Sequence, residues 1–398
     1  MALAATVTTS PVTAKPSWNP LRCGGTELPP NLLIMAKAIA IALLLTNHVR
    51  LLPTPFLPFL GFLDAIPPAV FQRSVQALLL ISAVALIFNR RVRLSSFLLG
   101  MSLLASVVAS KAYYGNNKTF CGLILVLVSL HQPGRSPWMI RAQLVIVYFG
   151  AGLNKLLDPD WRSGVFFHNW AANRLHEPLF LALEPLLPPL LLAKAMSWFT
   201  IATELGLSVA LLVRRAFPAG IWFSILLHSG MLLFTGSTFT LFFYGMTAAM
   251  LAFVDWPSTP LIVIYDGDCG FCERTRRWFE RLDLERTFCW RPFQSGAGRP
   301  FGITEEMALH RVYLATPGKL YSGFRAFRMM LLYNPAAYIV TYVVLAAPGA
   351  GDSTFRNILV AILLVVFSPV FAPAGEAVYS VIARNRHKLS RSNNCQVG

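Results

Sequence analysis

Between residues 32 and 254 the chain is a succession of apolar runs separated by short polar breaks. Eight of these runs, about 32–48, 69–88, 94–111, 118–131, 140–157, 195–213, 216–235 and 238–254, approach or reach the roughly 20 residues that a membrane-crossing helix needs. Such a pattern leaves few folds open. In lipid each segment must satisfy its own backbone hydrogen bonds, which selects helices. Composition agrees: of 398 residues 55% are hydrophobic and only 13% charged, against about a quarter charged in an ordinary soluble domain. A ninth run, 179–193, contains Glu184, Pro185, Pro188 and Pro189 and reads as re-entrant or interfacial. Residues 31–255 are therefore expected to form a polytopic α-helical membrane bundle of about eight spans. Residues 1–30, rich in Thr, Pro and Ala and without the basic start and short apolar core of a cleaved signal, read as a flexible tail.

The net charge of +16 does not point to nucleic acid, because the Arg and Lys residues lie mostly in short segments between apolar runs. Membrane topology and anionic head groups account for that placement. With eight spans both termini share a face with Arg90, Arg91, Arg93, Arg135, Arg141, Arg214 and Arg215. Arg50, Arg73, Lys111, Lys118, Arg162 and Arg174 fall on the other face. The positive-inside bias then puts the segment after residue 255 in the cytoplasm, in a cell inner or plasma membrane. Counting 179–193 as a span reverses this.

That segment changes character. From Pro257 onward the pattern is α/β: a strand at 261–265, a helix at 272–284, strands at 288–293 and 311–315, a helix at 304–310, a turn at Pro317-Gly318 and a helix from Gly323. This is the skeleton of a thioredoxin-like domain, expected over 258–390 and followed by a polar tail, 391–398. The run Asp266-Gly267-Asp268-Cys269-Gly270-Phe271-Cys272 joins the first strand to the first helix. A helix mouth favours a thiolate, so Cys269 is expected to be the attacking sulfur and Cys272, one turn later, the resolving one. Asp266 and Asp268 disfavour full burial of the pair. They raise thiol pKa values by repulsion, yet either can cap the helix or take protons during exchange. No second CxxC or CxxH follows at ligand spacing, so no metal site is expected. Cys23, Cys121, Cys289 and Cys395 show no such spacing; Cys289 reads as core and Cys395 as inert. The apolar stretch 358–371 is long for a core helix and short for a span, and reads as a helix lying on the membrane or packed on the bundle.

Three ionisable residues fall inside apolar runs, where charge is costly: Lys155, Glu204 and His228. They either pair to fix helix packing, with Lys155 snorkelling to the interface, or line one polar cavity in which Lys155 is a desolvated base. The run 145–155, ending Gly152-Leu153-Asn154-Lys155 and followed by Asp160-Trp161 and Gly164, resembles the signature helix of the horizontally transferred transmembrane (HTTM) domain of vitamin K-dependent gamma-carboxylase. Asn116-Asn117-Lys118 and Leu227-His228-Ser229 are similar to further segments of that family, although Lys118 stands where it has histidine. The resemblance covers about 30–255. It implies that Lys155 matches the base that deprotonates a reduced quinone and that Asn117 and His228 match cavity residues. Glutamate carboxylation is not expected, because the carboxylase's lumenal domain has no counterpart.

Over 260–390 the chain resembles the DCC family of thiol-disulfide oxidoreductases. The likeness rests on the thiol motif, on Tyr321-Ser322-Gly323 with Ala326, and on the closing block from Tyr379 through Ala383 to Arg386. That resemblance implies Cys269 and Cys272 as a redox pair. No proline precedes the strand at 311–315, where thioredoxins place a cis-proline beside their dithiol. The expectation is a multi-pass membrane protein carrying a cytoplasmic dithiol. No cofactor is required; a quinone is admissible. Its partners are the bilayer and a thiol, disulfide or quinone-like molecule. Alternatives are a lipid- or quinone-modifying enzyme using Lys155 with a regulatory thiol domain, and a redox-sensing scaffold.

Overall fold

A computed structural model describes residues 18–46, 48, 61, 65–109, 113–235, 240–347 and 354–389. Cys395, the tail 391–398 and residues 1–17 lie outside them.

The first half is helical: α1 (Pro30–Leu45), α2 (Pro68–Ile87), α3 (Val92–Ala109), α4 (Asn116–Ser129), α5 (Trp138–Leu157), α6 (Leu191–Ala210), α7 (Phe217–Thr235) and α8 (Thr240–Ala249). Helix α1 is apolar on every face and sits at the centre, with an unbroken buried run from Asn31 to Leu43. By contrast, α2 exposes Leu78, Ile81 and Val84, an outward face suited to lipid. Among the described residues three segments, Pro68–Ile87, Val92–Ala109 and Arg214–Thr235, are long and apolar enough to cross a membrane, or up to six if each of three bent pairs is one span. One bent pair is Pro178–Leu186 with α6, folded by 120° at the Pro188-Pro189 break. Helices α1, α4 and α8 are apolar but shorter.

Residues 18–29, which the sequence groups with the tail, pack instead against the bundle. Cys23 is fully buried, and Asn89 Nδ2 donates to the carbonyls of Asn19 and Arg22 at 3.1 and 3.0 Å. Lys37, in the buried stretch of α1, donates to the carbonyls of Pro20 and Arg22 at 2.8 and 2.7 Å. A buried ammonium is tolerable only with such partners.

The second half is built on a four-stranded mixed sheet of order β2-β1-β3-β4, from β1 (Leu261–Tyr265), β2 (Phe288–Pro292), β3 (Tyr313–Thr316) and β4 (Lys319–Ser322). β1 runs parallel to β2 and antiparallel to β3, with Val263 opposite both Trp290 and Leu314. Being central, β1 is buried on both faces, which explains its unbroken apolar sequence. The parallel crossover is α9 (Gly270–Leu282), and α10 (Glu305–His310) precedes β3. Then come α11 (Gly323–Leu332), α12 (Pro335–Ala346), α13 (Thr354–Phe367) and α14 (Ala372–Leu389).

Helices α12 and α13 leave the redox half altogether. Ile339, Tyr342, Leu345 and Val360 belong to the core of the membrane bundle, and Tyr244 of α8 donates to the carbonyl of Leu345 at 2.6 Å. The hairpin is stitched back at both ends. Asn334 Nδ2 donates to Leu282 O at the end of α9, and Arg328 of α11 donates to Phe367 O and Ser368 O at the end of α13.

Candidate functional site

β1 ends at Tyr265, and Asp266, the next residue, organises the turn that follows. Its Oδ1 accepts from the Asp268 N–H at 3.1 Å and from Gln294 Nε2 at 3.1 Å. Gln294 also accepts the Gly267 N–H through Oε1 and donates to Asp268 Oδ2, both at 3.1 Å. Gly267 permits this fit, since a Cβ there would stand 2.8 Å from Pro292 Cβ. The side chain of Cys269 then caps α9, its Sγ accepting from the Cys272 N–H at 3.4 Å.

The two sulfurs are not equally placed. Cys269 is fully buried, whereas Cys272 is half-buried and lines a cavity of about 50 Å³ with Phe271, Trp290, Val312, Tyr379 and Arg386. The pair is thus not fully buried, but Asp266 and Asp268 do not keep Cys269 open. Asp266 is itself buried, because Arg386 Nη2 neutralises its Oδ2 at 3.2 Å, and only Asp268 is exposed. Arg386 Nη1 meanwhile lies 3.6 Å from Cys272 Sγ, and Nη2 also donates to Leu309 O. The Cys272 thiol is pushed above its ordinary range, first by its hydrogen bond to Cys269 and then by burial, while Arg386 opposes the shift. Two adjacent sulfurs cannot both ionise cheaply, so the pair titrates as a unit.

One face of α14 forms the far wall. Glu376, Tyr379, Ala383 and Arg386 recur at helical spacing. Tyr379 Oη accepts from the Val312 N–H at 3.0 Å, and Glu376 pairs with Arg311 at 3.4 Å. Val312 thus occupies the loop before β3, where thioredoxins carry proline, and a tyrosine hydroxyl holds its backbone. Gly323, with φ +59°, lets α14 approach; a Cβ there would stand 2.7 Å from Glu376 Oε2.

In the bundle, the four expected cavity residues fall into three places. Lys155 Nζ bonds both Glu204 oxygens at 2.9 and 2.7 Å between α5 and α6, and lies 5.1 Å from the Trp161 ring centroid. Gly152 allows the close crossing, since a Cβ would meet Leu205 Cδ2 at 2.9 Å. His228 Nε2 instead meets Tyr148 Oη at 2.8 Å, and that hydroxyl also touches Ser224 Oγ at 2.6 Å. Tyr148 and Lys155 are seven residues apart, so one face of α5 carries both pairs. Asn117 stands apart in the first turn of α4, its Oδ1 accepting from the Lys118 N–H at 2.9 Å.

Residues 129–256 match the family model of the HTTM domain, and residues 263–359 match that of the DCC1-like thiol-disulfide oxidoreductase. The chain joins an HTTM domain to a DCC1-like domain. No curated protein and no solved structure matches it. Together the two matched regions support a membrane redox protein.

The HTTM match contains Lys155, Glu204 and His228 but begins after Asn117. The DCC1-like match contains both cysteines yet ends before α14, and so before Glu376, Tyr379 and Arg386. Site residues not picked out from the sequence are Arg386, Gln294 and Glu376 in the DCC1-like half and Tyr148 in the HTTM half. Two left a trace. Arg386 ends the closing block, and Tyr148 sits two turns before Lys155 in the signature helix.

Proposed function

We propose that the protein is a multi-pass membrane thiol-disulfide oxidoreductase whose working groups are Cys269 and Cys272. The observation that carries this reading is the placement of both sulfurs at the mouth of α9, with the Cys272 N–H directed at Cys269 Sγ and Cys272 opening on a cavity. In the reducing direction one thiolate attacks a partner disulfide, forming a mixed disulfide and releasing one partner thiolate. The second sulfur then displaces the other partner sulfur and closes the Cys269–Cys272 bond. Two electrons pass from the dithiol to the partner, and the two protons end on the partner's thiols. Asp268, exposed beside the turn, is placed to relay them.

The HTTM half is assigned about eight crossings, with the dithiol on the cytoplasmic face, and a quinone or lipid-like molecule as its membrane partner. Supporting the latter is the Lys155–Glu204 pair in the matched region. That pair also favours a second reading, a lipid- or quinone-modifying centre at Lys155 with the thiols regulatory. An ammonium donating to both carboxylate oxygens must first give up a proton before it can act as a base, so this reading needs an acceptor for that proton, and Glu204 is the group in place.

Cys269→Ser, Cys272→Ser and Lys155→Met, each in the purified full chain, separate these readings. Dithiol exchange predicts loss of disulfide turnover by roughly a thousandfold in either cysteine variant and retention in Lys155→Met. Turnover that survives both cysteine changes would falsify it. Labelling of single introduced cysteines in intact cells reads the topology.

A further inference from the structure

We propose that Cys272, not Cys269, is the sulfur that meets the partner, with Arg386 as the catalytic cation that holds its thiolate. This rests on the dithiol reading and reverses the order expected from a helix mouth alone.

Access comes first. Thiol-disulfide exchange needs the attacking sulfur, the central sulfur and the leaving sulfur near one line, so the attacker must be open to the partner. Cys269 has no exposed surface, whereas Cys272 forms part of a cavity wall. Charge comes second. The Arg386 guanidinium lies 3.6 Å from Cys272 Sγ and is fixed there from behind by Asp266 at 3.2 Å and by Leu309 O. Only 11% of its side chain is exposed, so its charge is poorly screened and works against the rise that the hydrogen bond to Cys269 and burial impose on the Cys272 thiol. Cys269 has different support, the backbone N–H of Cys272. A neutral dipole suits a sulfur that becomes nucleophilic second, once its neighbour is tied up in a mixed disulfide and no longer repels it. The remaining charge in the cavity, Arg311, is matched by Glu376, and Phe271, Trp290, Val312 and Phe327 supply apolar walls. The partner group that enters is therefore uncharged and narrow.

The step balances. The Cys272 thiolate attacks a sulfur of the partner disulfide, and one partner thiolate leaves. Cys269, giving its proton to that thiolate, attacks Cys272 Sγ, expels the second partner thiolate and leaves the Cys269–Cys272 disulfide. The partner is the oxidant and gains two electrons.

The full-length protein tests this with dipyridyl disulfide, an uncharged aromatic probe whose released thione absorbs. Cys269→Ser is expected to form the mixed disulfide at least about tenfold faster than Cys272→Ser at neutral pH. A faster reaction of Cys272→Ser overturns the proposed order and leaves the dithiol reading standing. Inertness of both variants while folded, with reaction on unfolding, overturns the dithiol reading itself. For Arg386, the pH profile of iodoacetamide alkylation is read in the Cys269→Ser background. Adding Arg386→Met should move its midpoint up by about one unit, and Arg386→Lys should restore most of the shift. Since Arg386→Met leaves Asp266 buried without its cation, Asp266→Asn/Arg386→Met is measured beside it. An unmoved midpoint in both removes Arg386 from the mechanism.

Discussion

Lys155 and Glu204 bury an ion pair between helices adjacent in the HTTM bundle, 49 residues apart in sequence. Asp266 and Arg386 bury another in the DCC1-like half, where the arginine also reaches Cys272 from 114 residues away. The first pair closes on itself, each charge meeting the other and both holding two helices together. In the second, the carboxylate positions the guanidinium, and the guanidinium's other edge faces the Cys272 sulfur. One buried charge pair is thus closed, its members meeting each other, and the other leaves one member an edge for a third group. His228 lies between these cases: its Nε2 bonds Tyr148, while its Nδ1 has no hydrogen-bond partner among the described residues.

Breaking the pair at the dithiol should give the largest effect. Asp266→Ala strips Arg386 of its counter-charge and Gln294 of an acceptor. It should lower the denaturation free energy by about 3 kcal/mol, read from the urea midpoint of the purified protein. If the HTTM pair is purely a packing device, Glu204→Leu should cost about 2 kcal/mol by leaving the Lys155 ammonium alone, and Lys155→Met/Glu204→Leu should recover most of that. A double variant no better than the single would mean that Lys155 has another partner in the membrane, and the contrast would fail.

A smaller effect separates the wall from the charge. Gly323→Ala, strained at φ +59° and pressed against Glu376, should cost about 1–2 kcal/mol and loosen α14. Slower alkylation of Cys272 in that variant would tie the cation's effect to helix placement. The smallest effect belongs to the exposed side of α9. Arg276 bonds Glu273 and Glu280, and its hydrogen bond to Glu273 is the first cause holding that carboxyl below the usual range. A depressed acid contributes stability at neutral pH that is lost as pH falls through its folded-state value. Glu273→Gln should therefore remove about 0.4 kcal/mol at pH 7 and almost nothing below the usual carboxylate range.

Local pattern made most of the DCC1-like elements readable. The apolar run 261–265, the helical spacing of Trp278, Phe279 and Leu282, and the Pro317-Gly318 reversal each encode their own structure. The thiol turn was readable for the same reason, since its cap and its glycine act within a few residues. Arg386 was not, because nothing near it in sequence speaks of Cys272. That omission also explains why the burial of Asp266 and Cys269 was not foreseen: two aspartates beside the cysteines argue for solvent until a distant cation neutralises one of them. In the bundle, helix placement followed from hydropathy, but which polar residues share a face did not. Hydropathy left open whether Lys155, Glu204 and His228 pair or share one cavity; Lys155 bonds Glu204 while His228 bonds Tyr148, which the sequence did not single out. Lys37 escaped notice as well, because its acceptors are carbonyls and carry no sequence signature.

The excursion of α12 and α13 into the core of the helical bundle has a mechanical outcome. The chain threads out of the bundle at Trp256, completes the sheet and α11, dives back among α1, α7 and α8, and returns only to lay α14 over the dithiol. A protease cutting at 256–260 would therefore release nothing. The nicked protein should stay whole in the membrane, its cysteines held at one fixed height, so that whatever exchanges with them must travel to the site rather than be fetched by it.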